Sequence, residues 1–111
     1  MTINEYQEAA LRTNDNTLGW LETLLNGLMG LNGEAGECID LLKKTIFQGH
    51  ILDEKHMAKE LGDVAWYLAV SAHAIGYKLE DIFKMNIEKL WNRYPEGFDS
   101  KKSINRENDD I

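Results

Sequence analysis

The chain contains 111 residues with 12 Lys and Arg against 19 Asp and Glu, which gives a formal net charge of −7. This acidic balance argues against a nucleic-acid binder, because affinity for a phosphate backbone comes from clustered basic residues. The single cysteine, Cys38, cannot form an internal disulfide, and no apolar run approaches the roughly 20 residues of a membrane-spanning helix. The first ten residues lack the pattern of a secretory signal. We therefore expect a cytoplasmic protein that binds neither nucleic acid nor membrane.

The spacing of apolar residues predicts an all-α fold. Apolar side chains recur every three or four residues between positions 18 and 90, and the chain contains one proline. The predicted helices are four, with approximate bounds of 2–13, 18–47, 53–75 and 79–94. Thr2 and Asp53 can cap the first and third of these helices, and Gly76 suits the position just beyond the end of the third.

The domain organisation predicted from this pattern is simple. We expect a single helical domain over residues 1–98, followed by a polar and frayed tail over residues 99–111. The expected architecture resembles a four-helix bundle, which a second subunit can complete.

Four glycines recur at every third position from 27 to 36, inside the second predicted helix. Each costs about 1 kcal/mol relative to alanine in a helix interior, so something must offset roughly 4 kcal/mol. Two explanations remain open and are compatible: the glycines allow a neighbouring helix to approach closely, or they clear room beside Glu34 and Glu37.

Two pairs of acidic residues, Glu34 with Glu37 and Glu60 with Asp63, lie three positions apart on predicted helices. Both pairs have apolar or small neighbours, although a solvated acidic face remains the simpler alternative. If the two helices are antiparallel, four carboxylates converge and raise one another's pKa values, a penalty that a divalent cation removes. Oxygen ligands favour Mg²⁺, with Mn²⁺ possible. His56, one turn before Glu60, either joins the outer shell of this site or is simply solvated.

Magnesium held by carboxylates commonly serves phosphate substrates, which also need basic contacts. Lys44 lies seven residues after Glu37, on the same helical face. The fourth predicted helix carries a polar and basic stripe: Asn86, Lys89 and Arg93. Tyr67 follows Asp63 by four residues and could border a sugar or base. The alternatives are a solvated amphipathic face for the stripe and core packing for the aromatic residues.

The strings GLNGEAGECIDLLKK, KELGDVAWYLA and NIEKLWNRYPEGF together resemble MazG-like nucleoside triphosphate pyrophosphohydrolases of the all-α type. That family is marked by Glu-x-x-Glu, a spacer and Glu-x-x-Asp. Glu34, Glu37, Glu60 and Asp63 match these positions, with 22 residues between the two pairs. The resemblance covers about residues 6–98. It implies Mg²⁺-dependent hydrolysis of a nucleoside or deoxynucleoside triphosphate to the monophosphate and pyrophosphate, in a homodimer or a tetramer made of two dimers.

The mechanism expected from this resemblance is attack of water on the α-phosphorus, with pyrophosphate as the leaving group. The four carboxylates hold the metal ions, and one of them, Glu37 before Glu34, accepts the proton from the water. Two alternatives remain. The substrate is dUTP or phosphoribosyl-ATP, as in other members of the all-α superfamily, or the chain is a non-catalytic helical dimerisation module.

Overall fold

A computed structural model describes residues 1–108 and 110–111. The described residues contain five helices: α1 (Ile3–Leu11), α2 (Trp20–Phe47), α3 (Glu54–Ala74), α4 (Leu79–Arg93) and α5 (Ser100–Ile104). The all-α prediction is confirmed, and the four predicted helices agree with α1 to α4 within two residues at each end. None of the helices in this part of the chain combines the length and apolar character needed to cross a membrane.

The tail is not simply frayed, because it contains α5. Asp99 caps this helix by accepting a hydrogen bond from the Lys101 backbone N–H at 2.9 Å. A capping aspartate satisfies a backbone donor that the first turn of a helix leaves free. A polar composition therefore did not exclude a short helix here.

The chain forms two compact units, Met1–Leu79 and Glu80–Ile111. The first contains α1, α2 and α3, and the second contains the rest of α4 together with α5. In the first unit, the fully buried residues lie in the second half of α3 and on the helices that cover it. The most buried of the apolar side chains are Ala10, Ala69, Val70, Ala72 and Leu79.

Two glycines of α2 allow this helix to lie directly against α3. A Cβ atom built on Gly27 would overlap Ser71, and one built on Gly30 would overlap the ring of Tyr67. Because the later α2 residue faces the earlier α3 residue, the two helices are antiparallel. Close approach is thus confirmed at Gly27 and Gly30, whereas a Cβ on Gly33 or Gly36 would meet nothing within 4 Å.

Helix α1 is held against α3 by a buried glutamine. The Gln7 side-chain amide donates to the Ala69 carbonyl at 3.1 Å and to the Tyr77 carbonyl at 3.3 Å. Its carbonyl oxygen accepts from the Leu79 backbone N–H at 2.9 Å. Since buried polar groups are costly without partners, these bonds fix where α1 lies along α3.

The predicted helix ends are confirmed at three positions. The side chains of Thr2 and Asp53 accept hydrogen bonds from backbone N–H groups in the first turns of α1 and α3. Gly76 has φ +81°, and the Tyr77 N–H donates to the Ala72 carbonyl at 2.9 Å. This arrangement is a Schellman motif, in which glycine avoids the steric penalty of a left-handed residue.

Helix α2 leaves a row of large apolar side chains on the surface of the first unit. Seven of them are 60–78% exposed: Trp20, Leu21, Leu25, Met29, Ile39, Ile46 and Phe47. Monomeric proteins rarely expose large contiguous apolar patches, so a surface of this kind is typical of an interaction site.

Candidate functional site

Three carboxylates from α2 and α3 lie together in the first unit. Glu34, Glu60 and Asp63 each offer an oxygen, and these three oxygens all lie within 4.8 Å of one another. The convergence follows from the antiparallel packing, because Glu34 lies one turn after Gly30 and Asp63 lies one turn before Tyr67. The predicted meeting of acidic residues from the two helices is therefore observed for three of the four.

The cluster is electrostatically unfavourable without a cation. The pKa of Glu34 is raised, first by a hydrogen bond with Glu60, then by partial burial, and then by the negative charges of Glu60, Asp63 and Glu37. Carboxylates that crowd together favour the protonated form of one of their number. A divalent cation between them would reverse this preference and favour the ionised forms.

Glu37 lies outside this group of three, although its charge still acts on Glu34. Its side chain is exposed on α2, one turn after Glu34. Residues three apart on a helix share a face but lie at different heights along the axis. Participation of Glu37 as a fourth ligand or as a base therefore stays a prediction.

Two aromatic side chains, Trp66 and Tyr67, follow Asp63 by about one turn on α3. Tyr67 is half-buried against Gly30 and makes an edge-to-face contact with Trp66, with ring centroids 4.9 Å apart. The Trp66 indole N–H donates to the Ala10 carbonyl at 3.1 Å and to Thr13 Oγ1 at 2.9 Å. Trp66 thus has a packing role at the end of α1, and Tyr67 occupies the side of the helix nearer α2.

Tyr6 of α1 is a site neighbour that sequence reasoning did not identify. Partial burial raises the pKa of its phenol, and the negative charge of Asp63 raises it further. The two residues are 57 positions apart, so no spacing rule relates them. Their proximity depends on the docking of α1 through Gln7.

Lys44 does not stand free to receive a phosphate group. Its ammonium lies 2.9 Å from an Asp40 carboxylate oxygen on the same helix, and this hydrogen bond raises the pKa of Lys44. The pair is substantially exposed, and such surface ion pairs contribute only about 0–1 kcal/mol. Exchange of Asp40 for a phosphate oxygen would therefore cost little.

The other predicted phosphate contacts lie on α4, in the second unit. Asn86 is exposed, and Lys89 is half-buried and lines an open surface cavity. Arg93 forms a two-pronged contact with Asp110, in which Nε and Nη2 donate to the two carboxylate oxygens at 2.8 Å each. A guanidinium held in this way already presents the geometry with which arginine binds phosphate.

Comparisons with known proteins agree with the arrangement of these motifs. A family model described as the MazG nucleotide pyrophosphohydrolase domain matches residues 22–98, a range that includes the three clustered carboxylates. The chain is similar to the Gene 37 protein of Mycobacterium phage L5, with 36% identity over 90 residues that cover 78% of this chain and 79% of the phage protein. No solved structure gives a significant match.

Proposed function

Since the chain belongs to the MazG nucleotide pyrophosphohydrolase family, we propose that it hydrolyses nucleoside or deoxynucleoside triphosphates to the monophosphate and pyrophosphate with the aid of Mg²⁺. The observation that supports this most strongly is the convergence of Glu34, Glu60 and Asp63. These three residues occupy the paired acidic motifs of α2 and α3, and they come together although 25 residues separate Glu34 from Glu60 in the numbering.

The donor set of the cluster fits a hard divalent cation. All three groups are carboxylates, which suit Mg²⁺ or Mn²⁺ and do not suit zinc, whose protein sites are rich in Cys and His. The pKa of Glu34 is raised by a hydrogen bond with Glu60, by partial burial and by the negative charges beside it, so a cation at this position would be favourable. We assign Glu34, Glu60 and Asp63 as ligands and Glu37 as a fourth. When bound, Mg²⁺ would neutralise phosphate charge and make water more acidic.

In the proposed reaction, a water oxygen attacks the α-phosphorus in line with the bridging oxygen of the leaving group. The bond between the α-phosphorus and that bridging oxygen breaks, and pyrophosphate leaves with the electron pair. The proton of the attacking water passes to a carboxylate. Glu37 is our candidate for this base, because it is exposed and lies one turn from Glu34. Glu34 is the second candidate, because it belongs to the carboxylate cluster itself.

Substrate contacts are assigned to the basic and polar residues of the sequence motifs. Lys44 would exchange Asp40 for a phosphate oxygen, and Tyr67 would border the sugar or base. The phosphate contacts assigned on α4 are Asn86, Lys89 and Arg93, an assignment that rests on their spacing and on family membership. Phosphoryl-type chemistry of this kind depends mainly on positioning and charge neutralisation.

The exposed apolar row on α2 supports a homodimer, or a tetramer made of two dimers. Burying these side chains removes apolar surface from water, which contributes about 25 cal/mol per Å². We expect light scattering to give at least twice the monomer mass, and Leu25→Asp with Met29→Asp to reduce it. A monomeric wild type would contradict this assignment. We place the protein in the cytoplasm, where triphosphates and Mg²⁺ are both available.

The proposed activity is tested by incubating the protein with each common NTP and dNTP, including dUTP, with and without Mg²⁺. We expect a monophosphate and pyrophosphate in the presence of metal only. Asp63→Asn and Glu37→Gln should abolish turnover with unchanged helical circular dichroism, whereas Glu22→Gln, which removes an α2 carboxylate outside the cluster, should retain it. Turnover by Asp63→Asn near the wild-type rate would refute the metal-site assignment.

A further inference from the structure

A histidine contacts the acidic cluster from within α3. His56 Nε2 lies 3.1 Å from Glu60 Oε1, one helical turn away. The Glu60 side chain is only 17% exposed, whereas that of His56 is 50% exposed. The ring thus contacts a carboxylate that is considerably less exposed than the ring itself.

The position of His56 is itself fixed by the start of the helix. Asp53 caps α3, and its Oδ1 atom accepts a hydrogen bond from the His56 backbone N–H at 3.1 Å. Histidine is not among the strong helix formers, so helix propensity does not explain its presence in the first turn. The interaction that the His56 side chain does make is its contact with Glu60.

No other basic side chain in residues 1–108 and 110–111 forms an ion pair with the three clustered carboxylates. Lys44, the basic residue of α2 assigned to the proposed site, is paired with Asp40. Among these residues, His56 is therefore the basic side chain in contact with a member of the cluster.

We propose that His56 is a positioning residue for metal binding, which donates its Nε2 hydrogen to Glu60 and holds that carboxylate in the orientation that a Mg²⁺ ion requires. The inference rests on the proposed function, since it assumes that Glu60 is a ligand. Mg²⁺ demands a nearly ideal octahedral geometry, so a freely rotating carboxylate is a poor ligand for it. Groups that orient metal ligands typically change affinity by about 10- to 100-fold when they are removed.

The test is the binding of Mg²⁺ and of Mn²⁺ to the full chain, measured by isothermal titration calorimetry for wild type, His56→Ala, His56→Gln and His73→Ala. Glutamine can place an amide N–H near the position of His Nε2, so it is the conservative replacement. His73, which lies exposed near the other end of α3, controls for the loss of an imidazole from the same helix.

We expect His56→Ala to bind both ions about tenfold more weakly, His56→Gln to recover much of the loss, and His73→Ala to match wild type. The thermal midpoint without metal should not fall in His56→Ala, since alanine is the better helix former. Equal affinity of His56→Ala and wild type would overturn the positioning role and leave the metal site standing.

Two other results would also overturn the proposal. A loss confined to Mn²⁺, without rescue by glutamine, would mean that the imidazole ligates the ion directly, because imidazole suits transition metals better than Mg²⁺. Absence of any Mg²⁺ or Mn²⁺ binding by wild type would overturn the proposed function together with this inference.

Discussion

Replacing Gly27 with alanine would place a methyl group where α3 leaves no room. A Cβ on Gly27 overlaps Ser71 Oγ and lies 3.3 Å from Ser71 Cβ and 3.4 Å from Ser71 Cα, so the Ser71 side chain limits the space. Alanine gains about 1 kcal/mol in helix propensity, whereas overpacking costs about 1–3 kcal/mol. Because Ser71 Oγ overlaps the new methyl group and Ser71 Cβ is closer than usual, we expect a net loss of about 1–2 kcal/mol in the free energy of unfolding.

The matched control is Gly33→Ala on the same helix, where a Cβ would meet nothing within 4 Å. It should gain about 1 kcal/mol, so the two variants should differ by about 2–3 kcal/mol. For a domain of this size, each kcal/mol shifts the thermal midpoint by about 4–8 °C. Circular dichroism melts without metal should therefore separate the two variants by at least about 8 °C.

Removing the Ser71 side chain should restore the packing of α2 against α3 when residue 27 is alanine. In the double variant Gly27→Ala with Ser71→Gly, the nearest remaining atom to the new methyl group is the residue-71 Cα at 3.4 Å, an ordinary contact. The two changes should therefore couple favourably by more than about 1 kcal/mol in a double-mutant cycle. Equal stability of Gly27→Ala and Gly33→Ala, or additive effects in the cycle, would refute close packing at Gly27.

Three further predictions concern the cluster, the docking of α1 and the α4 arginine. The raised pKa of Glu34 means that this residue contributes to the free energy of unfolding below the ordinary glutamate pKa, and that this contribution is lost as pH rises through the raised value. Glu34→Gln should therefore raise the metal-free melting midpoint at pH 7, by an amount that shrinks below about pH 4.5. The same substitution should abolish metal binding. Gln7→Ala leaves the buried Leu79 N–H without its partner and should cost about 1–3 kcal/mol in urea unfolding; an unchanged midpoint would contradict the role of Gln7. Asp110→Asn weakens the contact that holds Arg93 and should lower KM for the triphosphate with kcat unchanged, whereas a higher KM would count against phosphate binding by Arg93.

The helices and their order were predictable because they depend on local patterns. Apolar periodicity defined α1 to α4, and capping chemistry at Thr2, Asp53 and Gly76 located several of their ends. The meeting of Glu34 with Glu60 and Asp63 was predictable for the same reason, since antiparallel helices with acidic pairs at fixed spacing can bring those pairs together.

Features that depend on tertiary packing were not predictable. The glycine repeat did not show which positions face α3, because that depends on the rotation of α2, and only the structure separates Gly27 and Gly30 from Gly33. The proximity of Tyr6 to Asp63 likewise depends on where α1 docks. The structure divides the chain into two compact units. The single domain expected over residues 1–98 stays a prediction.

The most direct test of the proposed chemistry is to run the reaction in water labelled with ¹⁸O and to measure the masses of the products by mass spectrometry. Attack on the α-phosphorus predicts one ¹⁸O atom in the nucleoside monophosphate and none in pyrophosphate, with no product when Mg²⁺ is chelated. Label in pyrophosphate, or release of orthophosphate, would mean that water attacks a different phosphorus and would contradict the account.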